Sequence, residues 1–454
     1  MARILYITNG MASTLNSSLE LSRRLKDSGN EVVYLSHLDL SAAVEAHGFR
    51  FFQLNDHDRL NDEFADMRRN SSFLTRMREG RRLRLESLQS RELEDRIGEI
   101  KPDMLVIDIE LHFAVLVGLK TGIPMVTPIV WFSIFKRPGL PPMNTELMPP
   151  VGAIGMVWNA LAWSRLLIPR HLSILAELTP RRLLRRLRPI RFQTNDRADL
   201  KAVAREKRVS ISRQTSRSDW MRPQTYPNVK VLSYNAIEME FPHTPHENIH
   251  YVGPMVHHSR RDIEVDCDEQ EQLSKFLDRA KENGQSVVYC SLGTYWATDR
   301  AFLSKVVAVF KRRDELALVI GLGGRLDGEK LSDVSDNVLA MGYAPQLEIL
   351  KHSAAAICHG GITTINECIE NGVPVIVCST GHVDQPGCAA RIEYHKLGVK
   401  LDIKAASPGA LEQALDKALK DAVIVENVTK MQERFAAYKQ TRVAEKLIDE
   451  LTSG

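Results

Sequence analysis

A chain of 454 residues has room for two domains of ordinary size, each with its own core. Hydrophobic residues make up 44% and charged residues 26%, as in ordinary soluble globular proteins, and no apolar run is long enough to span a bilayer. A net charge of +3 excludes nucleic-acid binding driven by the charge of the whole chain. The six Cys residues all fall from Cys267 onward, and Cys290, Cys358 and Cys378 end apolar runs. That pattern implies buried free thiols in a reducing compartment, with neither a disulfide framework nor zinc-ligand spacing. Met1 to Ile7 runs straight into a strand and lacks a signal's apolar core, so the expected location is cytoplasmic.

Arg3 to Thr8 reads as an apolar strand, Asn9 to Thr14 as a loop, Leu15 to Ser28 as a helix and Glu31 to Ser36 as the next strand. This βαβ opening predicts a parallel, doubly wound α/β sheet. Gly48 to Phe52 adds a third strand, and the charged stretch Leu60 to Ile100 reads as long exposed helices. Asp103 to Asp108 is a strand, Phe113 to Thr121 a helix, and Gly122-Ile123-Pro124 leads into another strand. From Trp131 to Arg191 the order loosens into Pro-rich loop, an apolar stretch Val151 to Ile168 broken by Arg165, and the arginine run Arg181 to Arg188. Residues 151–191 read either as a helical insertion whose apolar side closes a cleft or as a peripheral contact with anionic lipid.

A linker is expected over 242–263, between a first domain (1–241) and a second (264–435), with a terminal helix in 436–454. The second domain opens with strand Ser286 to Cys290, loop Ser291-Leu292-Gly293-Thr294, helix Phe302 to Arg312 and strand Leu316 to Ile320. The stretch Gly342 to Gln385 follows. Ala354 to Cys358 reads as a buried strand, His359-Gly360-Gly361 as a tight turn, Ile365 to Asn371 as a helix and Val373 to Cys378 as the next strand. Glycines between a strand end and a helix start leave backbone N–H groups and the positive dipole end for an anion, above all a phosphate. Thr363, Thr364 and His359 add donors, and the Glu367 carboxylate suits a ribose diol. The triplet alone reads equally as close strand–helix packing.

The whole stretch resembles the nucleotide-sugar signature of the family 1, UDP-glycosyltransferase-like enzymes of the bacterial natural-product type. That resemblance implies the GT-B fold, two Rossmann-like domains facing across a cleft, with the terminal helix crossing back to the first. It implies that Tyr343 stacks on the uracil, with Ala344 and Gln346 beside the nucleoside. His359, Gly360, Gly361, Thr363 and Thr364 would meet the diphosphate, with Gly293 and Thr294 across the cleft, Glu367 the ribose, and Asp384 with Gln385 the sugar hydroxyls. The expected partners are a UDP-sugar, or a dTDP-sugar, and a small lipophilic acceptor in the first domain, with no nucleic acid. The Asp-x-Asp elements, Asp56 to Asp58 and Asp266 to Asp268, read as solvated loop charge, so no metal and no cofactor are expected.

Such a transfer needs a stabilised leaving diphosphate and a proton acceptor for the attacking hydroxyl. The family's base is a His in a Gly-His pair of the first loop. Here Ser13-Thr14 aligns with that pair, and a Thr hydroxyl accepts no proton near neutral pH. Asp108, Glu110 and His112 follow the strand that ends over the cleft, and Asp108 could act directly or cap the next helix. The catalytic candidates are therefore Asp108, Thr14 and His112. An acidic acceptor needing little help, a nucleotide-sugar epimerase or hydrolase, and a non-catalytic activator stay open beside them.

Overall fold

Alternating strand and helix signals resolve into two separate sheets in the computed structural model, which describes residues 1–176, 187–260, 267–293, 299–323 and 335–453. The first sheet holds β1 (Arg3–Ile7), β2 (Glu31–Ser36), β3 (Arg50–Gln53), β4 (Met104–Ile107), β5 (Met125–Ile129), β6 (Lys230–Ser233) and β7 (Ile249–Tyr251). The second holds β8 (Ser286–Ser291), β9 (Leu316–Gly321), β10 (Val338–Met341), β11 (Ser353–Cys358), β12 (Val375–Ser379) and β13 (Gly398–Asp402). Their orders are β3-β2-β1-β4-β5-β6-β7 and β10-β9-β8-β11-β12-β13, and every pairing is parallel. Central strands such as Leu316–Gly321 are buried along their whole length, because helices cover both faces. Each sheet reverses its order beside its first strand, which opens a crevice at the carboxyl ends of the strands.

Several elements differ from the reading of the sequence. The first helix is Ala12–Asp27, so Thr14 sits in its opening turn instead of a loop. The helix of the glycine turn is Ile362–Glu370, so Thr363 and Thr364 lie inside it. The stretch expected as linker contains β7, which completes the first sheet. Asp56 and Asp58 stand in the first turn of a helix, Asp56–Asn70, where acidic residues oppose the dipole, and not in a loop. Asp268 likewise opens the helix Cys267–Glu282, while Asp266 lies outside the described residues. Helix Gly152–Ala176 buries Trp163, Leu166 and Leu167 but leaves Val151, Ile154, Trp158 and Leu161 beside its start exposed. Arg181 to Arg186 lie outside the described residues, and no described helix is long and apolar enough to cross a membrane. The final helices, Ala422–Thr441 and Val443–Ser453, are separated by left-handed Arg442, and the second packs on β4, β7 and the helix Ala12–Asp27.

The domains meet through buried polar contacts. Arg391 is enclosed between the rings of Phe132 and Phe241, 4.6 and 4.4 Å from their centroids. Its Nε and Nη2 donate to Glu240 Oε2 at 2.9 and 2.6 Å, and its Nη1 donates to the Gly387 carbonyl at 3.0 Å. Asn366 Nδ2 donates to Asn235 Oδ1 at 3.0 Å, and the Gly387 N–H to the Met143 carbonyl at 2.8 Å.

Candidate active site

Gly360, with φ of +93°, carries the chain from β11 into the helix Ile362–Glu370; a Cβ there would stand 2.9 Å from Val377 Cγ1. Gly361 takes the N-cap position, where no side chain caps the helix. Both neighbours of His359 are shaped around its ring. A Cβ at Gly361 would lie 2.7 Å from Nε2, and one at Gly293 would lie 2.6 Å from Cε1. Burial lowers the His359 pKa, although the Ser291 backbone nearby favours the proton; the ring is neutral at pH 7 and keeps one N–H to donate. Its Nδ1 is buried without a hydrogen-bond partner. Thr363 and Thr364 are half-buried in the first turn. Thr294, expected on the opposite rim, lies outside the described residues.

One turn further along, Glu367 is buried and already engaged. Its Oε1 accepts from Arg260 Nη1 at 2.5 Å, and its Oε2 accepts from Gln346 Nε2. Tyr289 Oη donates to Gln346 Oε1 at 3.3 Å. Tyr343 is 40% exposed at the rim, with Ala344 half-buried after it. No feature of the sequence marked Arg260; it comes from the stretch expected as linker and meets Glu367 only in the folded chain.

Asp384 precedes the helix Gln385–Tyr394, and burial pushes its carboxyl up to about 6. Gln385 Oε1 accepts from the Thr380 N–H at 3.1 Å and from Thr380 Oγ1 at 2.6 Å.

Across the cleft, β1 and β4 lie side by side and bring residues a hundred positions apart together. Asp108 Oδ2 accepts from Thr8 Oγ1 and the Asn9 N–H, both at 2.8 Å, and Tyr6 Oη lies 3.4 Å from Oδ1. Burial raises the Asp108 pKa to about 6 against these three hydrogen bonds. Asn9 Nδ2 donates to Glu110 Oε2 at 2.6 Å. Thr14 Oγ1 sits 2.6 Å from Asn9 Oδ1 and 2.9 Å from the Met11 carbonyl. Burial, then Asp108, push Glu110 up to about 7, with a smaller push from Asp384 of the other domain and an opposing pull from Asn9. His112 is held away from the opening: its ring nitrogens meet Tyr226 Oη at 3.0 Å and the Arg222 carbonyl at 3.1 Å, and burial lowers its pKa to about 4.

A cavity of about 360 Å³ opens between the domains, lined among others by Glu110, Trp131, Leu166, Arg170, Trp220 and Val383. It has the size of a small-molecule site, and its walls mix Trp131, Leu166, Trp220 and Met221 with the polar Glu110, Asn144, Arg170, Asn195 and Arg222. The structure thus gathers Thr14, Asp108 and Glu110 on one wall, with Asp384 close to Glu110 across the cleft. His359 with its glycines forms a second group, and His112 belongs to neither. Among the described residues no group of three or more His, Cys, Asp or Glu side chains could hold a metal ion.

Comparisons with known proteins follow this division. The family model described as UDP-glucoronosyl and UDP-glucosyl transferase matches residues 207–435, half of the chain. An uncharacterized UDP-glucosyltransferase, YdhE of Bacillus subtilis, is 29% identical over 167 residues, which is 37% of this chain and 42% of the relative. The match therefore spans well under half of that relative's length. The 4'-demethylrebeccamycin synthase of Lentzea aerocolonigenes is 23% identical over 448 residues, 96% of each chain. Among solved structures, the glycotransferase of kitacinnamycin superposes with a TM-score of 0.68 at 19% identity, covering 99% of this chain and 98% of the other. The calicheamicin glycosyltransferase CalG4 gives 0.63 at 17%, covering 100% and 98%. These likenesses, with the two parallel sheets, show the GT-B fold.

Proposed function

The chain belongs to the UDP-glucoronosyl and UDP-glucosyl transferase family, and from that premise we propose that it transfers a hexose from a UDP-sugar to a small lipophilic acceptor. A dTDP-sugar is the other candidate donor, and the accepting group is a hydroxyl, phenol or carboxylate. The observation that carries this reading is the cradle of His359 between Gly293 and Gly361 at an uncapped helix start; a separate cavity lined by Glu110, Trp131, Trp220 and Val383 gives the acceptor a place.

The chemistry follows from that placement. A leaving diphosphate gains negative charge as the glycosidic bond breaks. The N–H groups of the helix Ile362–Glu370, the His359 N–H and the hydroxyls of Thr363 and Thr364 are fixed donors for that charge. Such donors do the work a divalent cation does elsewhere, so the proposed transfer is metal-independent. Tyr343 offers a ring face to the base, Gln346 lies beside the nucleoside, Glu367 meets the ribose alongside its bonds to Arg260 and Gln346, and Asp384 with Gln385 faces the sugar hydroxyls. The acceptor enters from the first domain, opposite the diphosphate, so displacement inverts the anomeric centre. The full-length relative named for 4'-demethylrebeccamycin supports an acceptor of the natural-product kind.

Mass spectrometry of a pooled acceptor library, incubated with UDP-glucose and a few other donors in the presence of EDTA, tests this reading. A hexose mass added to an apolar acceptor is expected, with the donor nearly intact when no acceptor is present. Consumption of the donor alone would point to a hydrolase or epimerase, and strict dependence on magnesium would sink the metal-independent route.

A further inference from the structure

We propose that Glu110 is the catalytic base of this transfer, with Asn9 and Thr14 as the positioning residues that aim it. The inference rests on the function proposed above and assigns the proton acceptor that the first loop lacks.

Position selects Glu110 over its neighbours. It lines the 360 Å³ cavity together with Trp131, Leu166 and Trp220 of its own domain and Val383 of the other. Val383 directly precedes Asp384, so the Glu110 carboxylate stands where the acceptor cavity meets the sugar-facing loop. Asp108 is buried, lines only a much smaller pocket beside Thr14 and Glu110, and meets three donors of its own domain. His112 has both ring nitrogens occupied within the first domain.

The aim of Glu110 is fixed by a short chain of hydrogen bonds. The Met11 N–H donates to Asn9 Oδ1 at 2.9 Å, and Thr14 Oγ1 donates its one hydrogen to the same oxygen at 2.6 Å in competition with the Met11 carbonyl at 2.9 Å. With two donors on Oδ1, the amide can turn only its Nδ2 toward Glu110, which accepts at 2.6 Å. Asn9 therefore holds Oε2 and leaves Oε1 as the oxygen that can meet an acceptor. Replacing Thr14 with an apolar residue would remove one of the two bonds that orient this amide.

The surroundings also set the proton affinity. Burial above all, then the Asp108 carboxyl on the β4 side and, less, Asp384 on the opposite loop, raise it to about 7 against the pull of Asn9. Arg170 and Arg222 line the same cavity, and His382 adjoins Asp384. A carboxylate with this affinity is a far better base at neutral pH than an exposed one. In the step itself the acceptor O–H proton passes to Glu110 Oε1 while the oxygen lone pair bonds the anomeric carbon. The bond from that carbon to the diphosphate oxygen breaks, its electron pair leaves with the nucleoside diphosphate, and Glu110 later releases the proton to solvent.

The test compares wild-type protein and Glu110→Gln on two acceptors found in the library screen, an aliphatic alcohol and a phenol acidic enough to ionise at neutral pH. With the alcohol, kcat is expected to fall about 10²- to 10⁴-fold. With the phenol the loss is expected to be much smaller, and UDP affinity by calorimetry should stay unchanged. The wild-type rate should fall below a pH of about 7 on the acid side, and that limb should vanish in Glu110→Gln. Thr14→Val should lower kcat for the alcohol with acceptor KM unchanged, and Thr14→Ser should restore it. Equal loss on both acceptors, or alcohol turnover near the wild-type rate, overturns the assignment while the transferase reading stands. No product from wild-type protein on any acceptor ends both. If Glu110→Gln does not fold, Glu110→Asp takes its place under the same comparison of acceptors.

Discussion

In the two sheets β4 and β11 hold the same place, each beside the first strand of its own sheet and each followed by a helix. After β4 the chain runs Asp108-Ile109-Glu110-Leu111-His112, and after β11 it runs His359-Gly360-Gly361-Ile362. The backbone plan is shared and the chemistry is opposite. Both helix starts present N–H groups and a positive dipole end. The first is furnished with two carboxylates of its own, while the second has glycines and a neutral imidazole and leaves the negative charge to come from outside. Strand order therefore says nothing about which turn binds the donor; the few residues in each turn decide it.

The largest effect is expected from breaking the buried ion pair that joins the two domains. Arg391 and Glu240 are both buried, and Tyr251 Oη also donates to Glu240 at 3.2 Å. Arg391→Ala leaves the buried Glu240 without its cation and empties the space between Phe132 and Phe241, a loss of about 3–5 kcal/mol. Denaturant unfolding of the variant checks this. The double variant Arg391→Met with Glu240→Gln should recover most of the loss, since the charge and its partner go together. A midpoint close to wild type for Arg391→Ala would mean that the pair does not join the domains.

The next effect isolates the second turn. Gly361 has an ordinary extended backbone, φ −67° and ψ 128°, which alanine adopts without strain. Any damage from Gly361→Ala must therefore come from the Cβ meeting the His359 ring. We expect kcat/KM to fall about 10²- to 10³-fold, as when one donor to a developing oxyanion is lost. The same clash should lower stability by about 1–3 kcal/mol, as overpacking does, so the kinetics are read well below the melting temperature. Kinetics equal to wild type would remove His359 from the proposed diphosphate site.

The same contrast explains what the sequence made legible. Donor chemistry needs particular residues at particular spacings within one strand–turn–helix unit, so His359, Gly360, Gly361 and Glu367 stand out as a string. The first domain's wall is assembled across the sheet: Asn9 and Glu110 are 101 positions apart, and only the pairing of β1 with β4 joins them. Thr14 looked like a missing base, and its bond to Asn9 could not be read before the helix start was known. That helix begins at Ala12 without a side-chain cap, which hides its boundary. Arg260 meets Glu367 from 107 positions away, with no pattern to announce it. The central strands were plain from their apolar runs, whereas β7, three residues with His250 half-buried, and β10, with Leu339 and Ala340 half-buried, carry too little apolar signal.

The smallest effect is a pH dependence of stability that the first turn imposes and the second does not. Burial raises Glu110 from 4.5 to about 7, and Asp108 and Asp384 from 3.8 to about 6. Between the unfolded and folded values the folded chain binds more protons than the unfolded one, so stability falls as pH rises. The contribution is fully present below the unfolded values and is gone above a pH of about 7. Glu20, held low by His257, Arg23 and Arg24 against its own burial, acts in the opposite sense but only under stronger acid, outside this window. Glu110→Gln removes the largest of the raised groups. At pH 8 it should stabilise the fold by on the order of 1–2 kcal/mol, after discounting for partial exposure, and at pH 4 it should do almost nothing. Thermal melts of both proteins at the two pH values decide this, and equal gains at both would show that the carboxylate is not strained by its burial. A side chain whose loss cuts alcohol transfer yet steadies the fold only at the higher pH is one kept for its chemistry, because packing alone would favour the amide.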